Sequence, residues 1–108
     1  MQVSPTARAL KECKARGWEA GVVERFNSYT KRKHDLFGVL DIIAATPEGV
    51  LGIQVTSGDN HASRVAKVLA EPRMAAWRSA GARVAVWSYA LRGARGKRKT
   101  YQLREEIL

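Results

Sequence analysis

The chain has 108 residues, enough for one domain around one hydrophobic core. It carries 19 lysines and arginines against 10 acidic residues, and a net charge of +9 is typical of proteins that bind nucleic acid. Its single cysteine excludes an internal disulfide, and no apolar run reaches the roughly 18 residues of a membrane span, so we expect a cytoplasmic protein without a membrane partner.

The first predicted elements are a helix and a strand. Ser4 followed by Pro5 has the residue types of a helix N-cap and first helical position, and Gly17 is a typical helix end. A strand is predicted over residues 19–26. The polar and basic segment 27–34 is predicted to be a loop.

A β-hairpin follows, with strands predicted over residues 38–45 and 49–56. The next helix carries Val65, Val68 and Leu69 at helical spacing and is interrupted at Pro72. Strands over residues 83–89 and 99–103 complete the chain. The order α, β, β, β, α, β, β predicts an α/β fold in which helices cover both faces of a mixed β-sheet.

Both strands of this hairpin carry polar residues where a buried strand is expected to be apolar. Asp41 precedes Ile42-Ile43-Ala44, while Gln54 and Thr56 alternate with apolar residues of the second strand. Strand alternation places Gln54 and Thr56 on one face, and the turn brings Asp41 beside them. Buried polar groups need partners, which can be one another or a metal ion.

The pattern resembles the PD-(D/E)XK nuclease superfamily, in particular its small Holliday-junction-resolvase-like and phage-type branch. The resemblance rests on the order of elements and on the segments Leu40-Asp41-Ile42-Ile43-Ala44 and Gly52-Ile53-Gln54-Val55-Thr56. It implies a restriction-endonuclease-like αβββαβ core in a single domain over residues 1–108. It also implies cleavage of DNA phosphodiesters with Mg²⁺ or Mn²⁺. Asp41 matches the family's aspartate, whereas Gln54 and Thr56 replace its Asp/Glu and its Lys.

The family's residue types have a chemical reason. Two carboxylates hold a hard cation through oxygen ligands, and the cation polarises the phosphate and lowers the pKa of a bound water. A nearby lysine stabilises the developing charge. In this chain, Gln54 supplies only a neutral oxygen and Thr56 supplies no cation, so the missing groups must come from elsewhere or the site is inactive.

The resemblance to phage-type relatives adds two carboxylates to the set. They are Glu24 and Asp35, the latter in Asp35-Leu36-Phe37-Gly38. The predicted metal ligands are thus Glu24, Asp35, Asp41 and Gln54. The missing positive charge could come from Lys33 in the loop or from Arg64 or Lys67 on the helix after the hairpin. The predicted catalytic residues are Asp41, Gln54, Thr56 and Lys67.

Asp41 in an apolar strand is hard to explain structurally, but each of the other residues also has an ordinary structural interpretation, which stays open at this stage. Gln54 can satisfy neighbouring backbone, and Thr56 is a common strand residue. Asp35 can cap the turn before Gly38, and Glu24 can be a surface residue of a strand. Lys67 can lie on the solvated face of its helix.

Basic residues cluster in segments 31–34 and 92–99, where they can bind phosphates or remain solvated loops. The candidate nucleic-acid contacts are Lys31, Arg32, Lys33, His61, Arg64, Arg95, Lys97 and Arg98. We therefore predict a metal-dependent DNA endonuclease, for which the resemblance implies branched or junction DNA and a two-fold homodimer. The alternatives are an inactive module of the same fold that binds nucleic acid and a small interaction protein.

Overall fold

The computed structural model describes residues 3–108, apart from the side chains of Phe26 and Lys33. In chain order, its elements are α1 (Pro5–Ala15), β1 (Glu19–Val22), β2 (Arg25–Asn27), β3 (Arg32–His34), β4 (Ile42–Thr46), β5 (Gly49–Ser57), a 3₁₀ turn (Gly58–Asn60), α2 (His61–Ala70), α3 (Arg73–Ser79), β6 (Arg83–Arg92) and β7 (Thr100–Ile107). Over these residues, no helix is long and apolar enough to cross a membrane.

Five strands form one mixed sheet in the order β1-β4-β5-β6-β7. All neighbouring pairs are antiparallel except β5 and β6, which are parallel and are connected through α2 and α3. The predicted α/β fold with a mixed sheet is therefore confirmed. Strands β2 and β3 pair only with each other, in a separate antiparallel hairpin.

The core lies on both faces of the sheet, because side chains of β6 alternate between two apolar clusters. Ala85 and Trp87 pack with Cys13 of α1, as expected for a lone buried cysteine. Val84 and Val86 pack with residues of α2 and α3 on the opposite face. The predicted coverage of both faces by helices is thus confirmed.

The helix boundaries also follow the sequence signals. The Ser4 hydroxyl accepts the Ala7 N–H at 3.1 Å, so it caps α1 as predicted. Gly17 follows the last turn of α1 with a φ of 80°, a conformation that glycine adopts without strain. Pro72 separates α2 from α3, as its missing N–H predicts.

Three strand predictions need correction. The strand expected over residues 19–26 is divided between β1 and β2, and part of the expected loop 27–34 forms β3. The first strand of the central hairpin begins at Ile42 and not at residue 38, because Phe37 and Gly38 have φ values of 55° and 75° in a tight turn. The last strand continues to Ile107 as a largely exposed edge strand.

Candidate metal centre

Asp41 lies at the fork where β4 and β5 separate. Its backbone N–H donates to the Ile53 carbonyl at 2.9 Å. Residues of β5 after Ile53 have no partner in β4. Beyond that point the Asp41 carboxylate accepts hydrogen bonds from β5. Its Oδ2 accepts the Val55 backbone N–H at 2.8 Å and the Gln54 side-chain Nε2–H at 2.5 Å. Asp41 is only 4% exposed, so the fork holds a buried carboxylate.

Two further carboxylates reach the same point. Glu24 lies just beyond β1, where the Val23 N–H donates to the Asp41 carbonyl at 2.9 Å. Asp35 begins the tight turn that leads into β4. One oxygen from each of Glu24, Asp35 and Asp41 lies within 4.8 Å of the other two. The structure thus brings together the carboxylates that the sequence analysis placed in one set.

The protonation of Asp41 reflects this setting. Burial, as the largest cause, and the hydrogen bond with Asp35 raise the pKa of Asp41 to about 7. Hydrogen bonds from the Val55 N–H and from Gln54 act in the opposite direction. Near neutral pH, Asp41 therefore exchanges its proton readily, and a bound cation would displace that proton.

Gln54 is the fourth polar residue at the fork, where its side-chain amide donates to Asp41. The residue is 2% exposed, and its Oε1 is buried without a hydrogen-bond partner in residues 3–108. A buried carbonyl oxygen without a partner costs roughly 1–3 kcal/mol. Its amide is anchored to Asp41 through Nε2, and rotation of that amide exchanges the two atoms. Three carboxylates and one unpartnered amide oxygen are the hard donors that suit Mg²⁺ or Mn²⁺.

The two residues predicted to replace the family's lysine do not supply a charge at the fork. Thr56 is buried and neutral, opposite Ser88 of β6. Lys67 is exposed on α2 and forms no ion pair within the described part of the chain, whereas the next residue, Val68, packs in the core. The solvated-face interpretation of Lys67 is therefore favoured over a catalytic role.

His61 was predicted to contact phosphate, and its position corrects that prediction. It is 2% exposed at the start of α2, with Nδ1 at 2.6 Å from the Ser88 Oγ and Nε2 at 3.0 Å from the Glu106 Oε1. Both ring nitrogens therefore have partners within the protein, and His61 connects α2 to β6 and β7. Ser88 and Glu106 were missed, although a serine within the apolar run of β6 is a signal for a buried polar contact.

The predicted basic contacts lie largely on the surface. Lys31 and Arg32 are exposed in the β2–β3 hairpin, whereas the side chain of Lys33 lies outside the described residues. The connection between β6 and β7 carries the exposed side chains of Arg95, Lys97 and Arg98. Arg64 is half-buried on α2.

These basic segments lie at the same end of the sheet as the carboxylates. Strands β1, β5 and β6 run in one direction, so their carboxyl ends share one end of the sheet. Glu24 and the β2–β3 hairpin follow β1 there, and the connection 93–99 follows β6. The basic segments and the carboxylate cluster therefore lie at one end of the sheet.

A recess of about 490 Å³ lies beside Glu24, at the edge of the carboxylate cluster. It is lined by the first turn of α1, residues 4–7, together with Leu10, Glu24 and Val55. Glu24 is the member of the carboxylate cluster that borders this recess.

Comparison with models of known protein families, with curated proteins and with solved structures found no match for this chain. The resemblance to PD-(D/E)XK nucleases therefore stays an expectation from the sequence.

Proposed function

We propose that this protein is a metal-dependent DNA endonuclease whose Mg²⁺ or Mn²⁺ ligands are Glu24, Asp35, Asp41 and Gln54. One observation carries the proposal: three carboxylates cluster at the fork between β4 and β5, where Asp41 also accepts the side-chain amide N–H of the buried Gln54. Asp41 forms no ion pair with a lysine or arginine of the described residues. A buried carboxylate beside two others is costly unless a cation compensates it.

The order and direction of the elements support a restriction-endonuclease-like core. Taken in sequence, α1, β1, β4, β5, α2 and β6 reproduce the αβββαβ order that the resemblance implies. Within it, β1, β4 and β5 are antiparallel neighbours, and β6 is parallel to β5. The β2–β3 hairpin is then an insertion after β1, and β7 is an added edge strand.

The chain's own residues have distinct tasks in this proposal. A bound divalent ion supplies a Lewis acid that polarises a phosphate oxygen and lowers the pKa of water. The Val55 N–H holds the Asp41 carboxylate in place, and Gln54 provides a neutral oxygen from β5. Glu24, which borders the recess, would be one of the carboxylate ligands. Exposed lysines and arginines around the fork hold the phosphates on either side.

The same proposal makes three further predictions. The protein is cytoplasmic, its substrate is branched or junction DNA, and it acts as a two-fold homodimer. A four-way junction needs two symmetric cuts, which a two-fold dimer supplies. DNA as partner is supported by the charge of +9 and by the basic segments at the carboxylate end of the sheet.

A second candidate is an inactive module of the same fold that binds nucleic acid. The specific observation in its favour is that the lysine expected at the site is absent. Thr56 occupies the position of that lysine, and Lys67 lies on an exposed helix face. Such a module would bind DNA without needing a divalent ion.

Nicking of supercoiled plasmid with Mg²⁺ or Mn²⁺ separates the two candidates. We expect the wild type to nick, Asp41→Asn to be inactive, and both to bind DNA. Asp59→Asn is the matched control, because Asp59 is exposed in the 3₁₀ turn and is not one of the three clustered carboxylates. Equal nicking by Asp41→Asn would refute the endonuclease assignment, and DNA binding without nicking under any condition would favour the inactive module.

A further inference from the structure

The β2–β3 hairpin is anchored at both ends in the carboxylate cluster. Arg25, its first residue, directly follows Glu24, and His34, its last strand residue, directly precedes Asp35. The hairpin forms no strand pairing with the main sheet. Whatever binds to the hairpin is therefore held next to the carboxylates.

The tip of the hairpin presents an aromatic ring to solvent. Tyr29 is 96% exposed, so its ring contributes almost nothing to the core. The Asn27 side chain builds the turn around it, because Oδ1 accepts the backbone N–H groups of Tyr29 at 2.9 Å and of Thr30 at 3.2 Å. Such a turn fixes the backbone of an outward-facing tyrosine, which is an arrangement suited to stacking.

One face of the hairpin is basic and concave. The pairs Arg25↔His34 and Asn27↔Arg32, combined with strand alternation, place these four side chains on the same face. A recess of about 430 Å³ opens there, lined by Arg25, Asn27, Ser28, Tyr29 and His34. Segment 25–34 contains no aspartate or glutamate. The recess has the size of a small-ligand site and the charge to attract an anion.

We propose that this recess binds one unpaired nucleotide of a DNA strand, with the base stacked on Tyr29 and the phosphate held by Arg25 and Arg32. The proposal rests on the proposed endonuclease function and adds a nucleotide subsite to it. An exposed aromatic ring stacks on any base, and arginine pairs with phosphate through two N–H groups. The bound nucleotide would hold its strand beside Glu24 and Asp35.

A binding experiment isolates the stacking contact. Asp41→Asn protein in EDTA, which cannot cleave in this account, is titrated with a labelled short oligothymidylate and with an abasic oligomer of the same length and charge. We expect the parent protein to bind the oligothymidylate roughly tenfold more tightly, because only this ligand has bases to stack. Fluorescence anisotropy measures both affinities.

Substitutions at the tip should change this preference selectively. Tyr29→Ala should remove the preference for bases and leave abasic binding unchanged, whereas Tyr29→Phe should retain the preference. Tyr101→Ala is the matched control, because Tyr101 is an exposed tyrosine on β7 outside the hairpin, and it should also retain the preference. Since Tyr29 is almost fully exposed, its substitution should leave the melting temperature unchanged.

Equal binding of the two oligomers by the parent protein would overturn the nucleotide subsite, and so would an unchanged preference in Tyr29→Ala. The nicking assay keeps this proposal separate from the endonuclease proposal. If nicking depends on Asp41 but the base preference is absent, only the subsite is wrong. If the preference depends on Tyr29 but no DNA is cut, the subsite stands and the endonuclease assignment is wrong.

Discussion

The Asp41 carboxylate accepts the Gln54 side-chain amide at 2.5 Å, and this contact leaves the Gln54 Oε1 buried without a partner in the described chain. A carboxylate with a raised pKa and an amide oxygen without a donor are both unfavourable in isolation. A divalent cation at the fork would neutralise the Asp41 carboxylate, and it would also bind the Gln54 Oε1 if the amide rotated. The Asp41–Gln54 pair is therefore better explained by the binding of a divalent cation than by a contribution to the stability of the protein.

Replacement of Asp41 should make the stability of the protein less dependent on pH in the absence of a cation. The pKa of Asp41 is about 7 in the folded protein, against about 3.9 for an unperturbed aspartate. The folded state thus binds more protons between pH 4 and pH 7, and wild-type stability falls as the pH rises through this window. We expect Asp41→Asn to lack this decline, so that its stability relative to the wild type should be greater at pH 8 than at pH 5. Urea unfolding at pH 5 and pH 8 in EDTA measures the difference.

Asp59→Asn provides the control for this experiment, because its side chain is exposed and should change stability little at either pH. A wild-type stability that does not fall between pH 5 and pH 8 would argue against the buried, raised-pKa state of Asp41.

Gln54→Glu should strengthen metal binding, because a charged oxygen binds a hard cation better than an amide oxygen. The same substitution adds a fourth carboxylate to the fork, so the variant should be less stable than the wild type without a cation. Mn²⁺ should raise its melting temperature more than that of the wild type. Differential scanning fluorimetry with and without Mn²⁺ tests both effects, and a variant that Mn²⁺ stabilises less than the wild type would count against Gln54 as a ligand.

Thr56→Lys added to Gln54→Glu would restore the residue types of the nuclease family at both positions. If the absence of a lysine side chain at position 56 limits catalysis, the double variant should nick plasmid faster than Gln54→Glu alone. An unchanged rate, measured on protein shown to be folded, would mean that the lysine position does not limit the reaction.

Much of the architecture could be predicted from the sequence because its signals are local. Ser4, Gly17 and Pro72 mark helix boundaries through their own backbone preferences. Asp41 stood out because one carboxylate interrupts an apolar run. The β2–β3 hairpin was missed because its segment is polar on both sides and lacks the alternation that a half-buried strand shows.

The partners of His61 could not be predicted, because Ser88 and Glu106 lie 27 and 45 residues further along the chain. A histidine at the start of a helix has no local feature that distinguishes a buried position from an exposed one. The exposure of Lys67 could not be predicted either. Only the packing of α2 on the sheet determines which face of α2 is solvated.

His61→Ala should destabilise the protein and leave phosphate binding intact. The substitution leaves the buried Ser88 hydroxyl without its partner, at a cost of roughly 1–3 kcal/mol. Replacing both residues by alanine should recover part of this loss, because no unpaired hydroxyl then remains. Urea unfolding measures the stabilities, and a tenfold loss of DNA affinity in folded His61→Ala would restore the phosphate-contact interpretation.

DNA affinity should fall steeply with salt, because lysine and arginine contacts release counterions from the phosphates. Substituting Arg95, Lys97 and Arg98 by alanine should weaken binding to all sequences alike and reduce the slope of log K against log salt by roughly 2–3. A triple variant of Lys11, Lys14 and Arg78, which are exposed on α1 and α3, is the matched control. A flat salt dependence of the wild type would contradict electrostatic binding.

Calorimetric titration with Mn²⁺ tests the central claim most directly, because it requires neither DNA nor catalysis. We predict that the wild type binds Mn²⁺ with an affinity that rises with pH through about 7, as Asp41 loses its proton. Asp41→Asn should lose this binding, Asp35→Asn should weaken it, and Asp59→Asn should leave it unchanged. No binding by the wild type at pH 8, or equal binding by Asp41→Asn, would contradict a metal centre at the fork of β4 and β5.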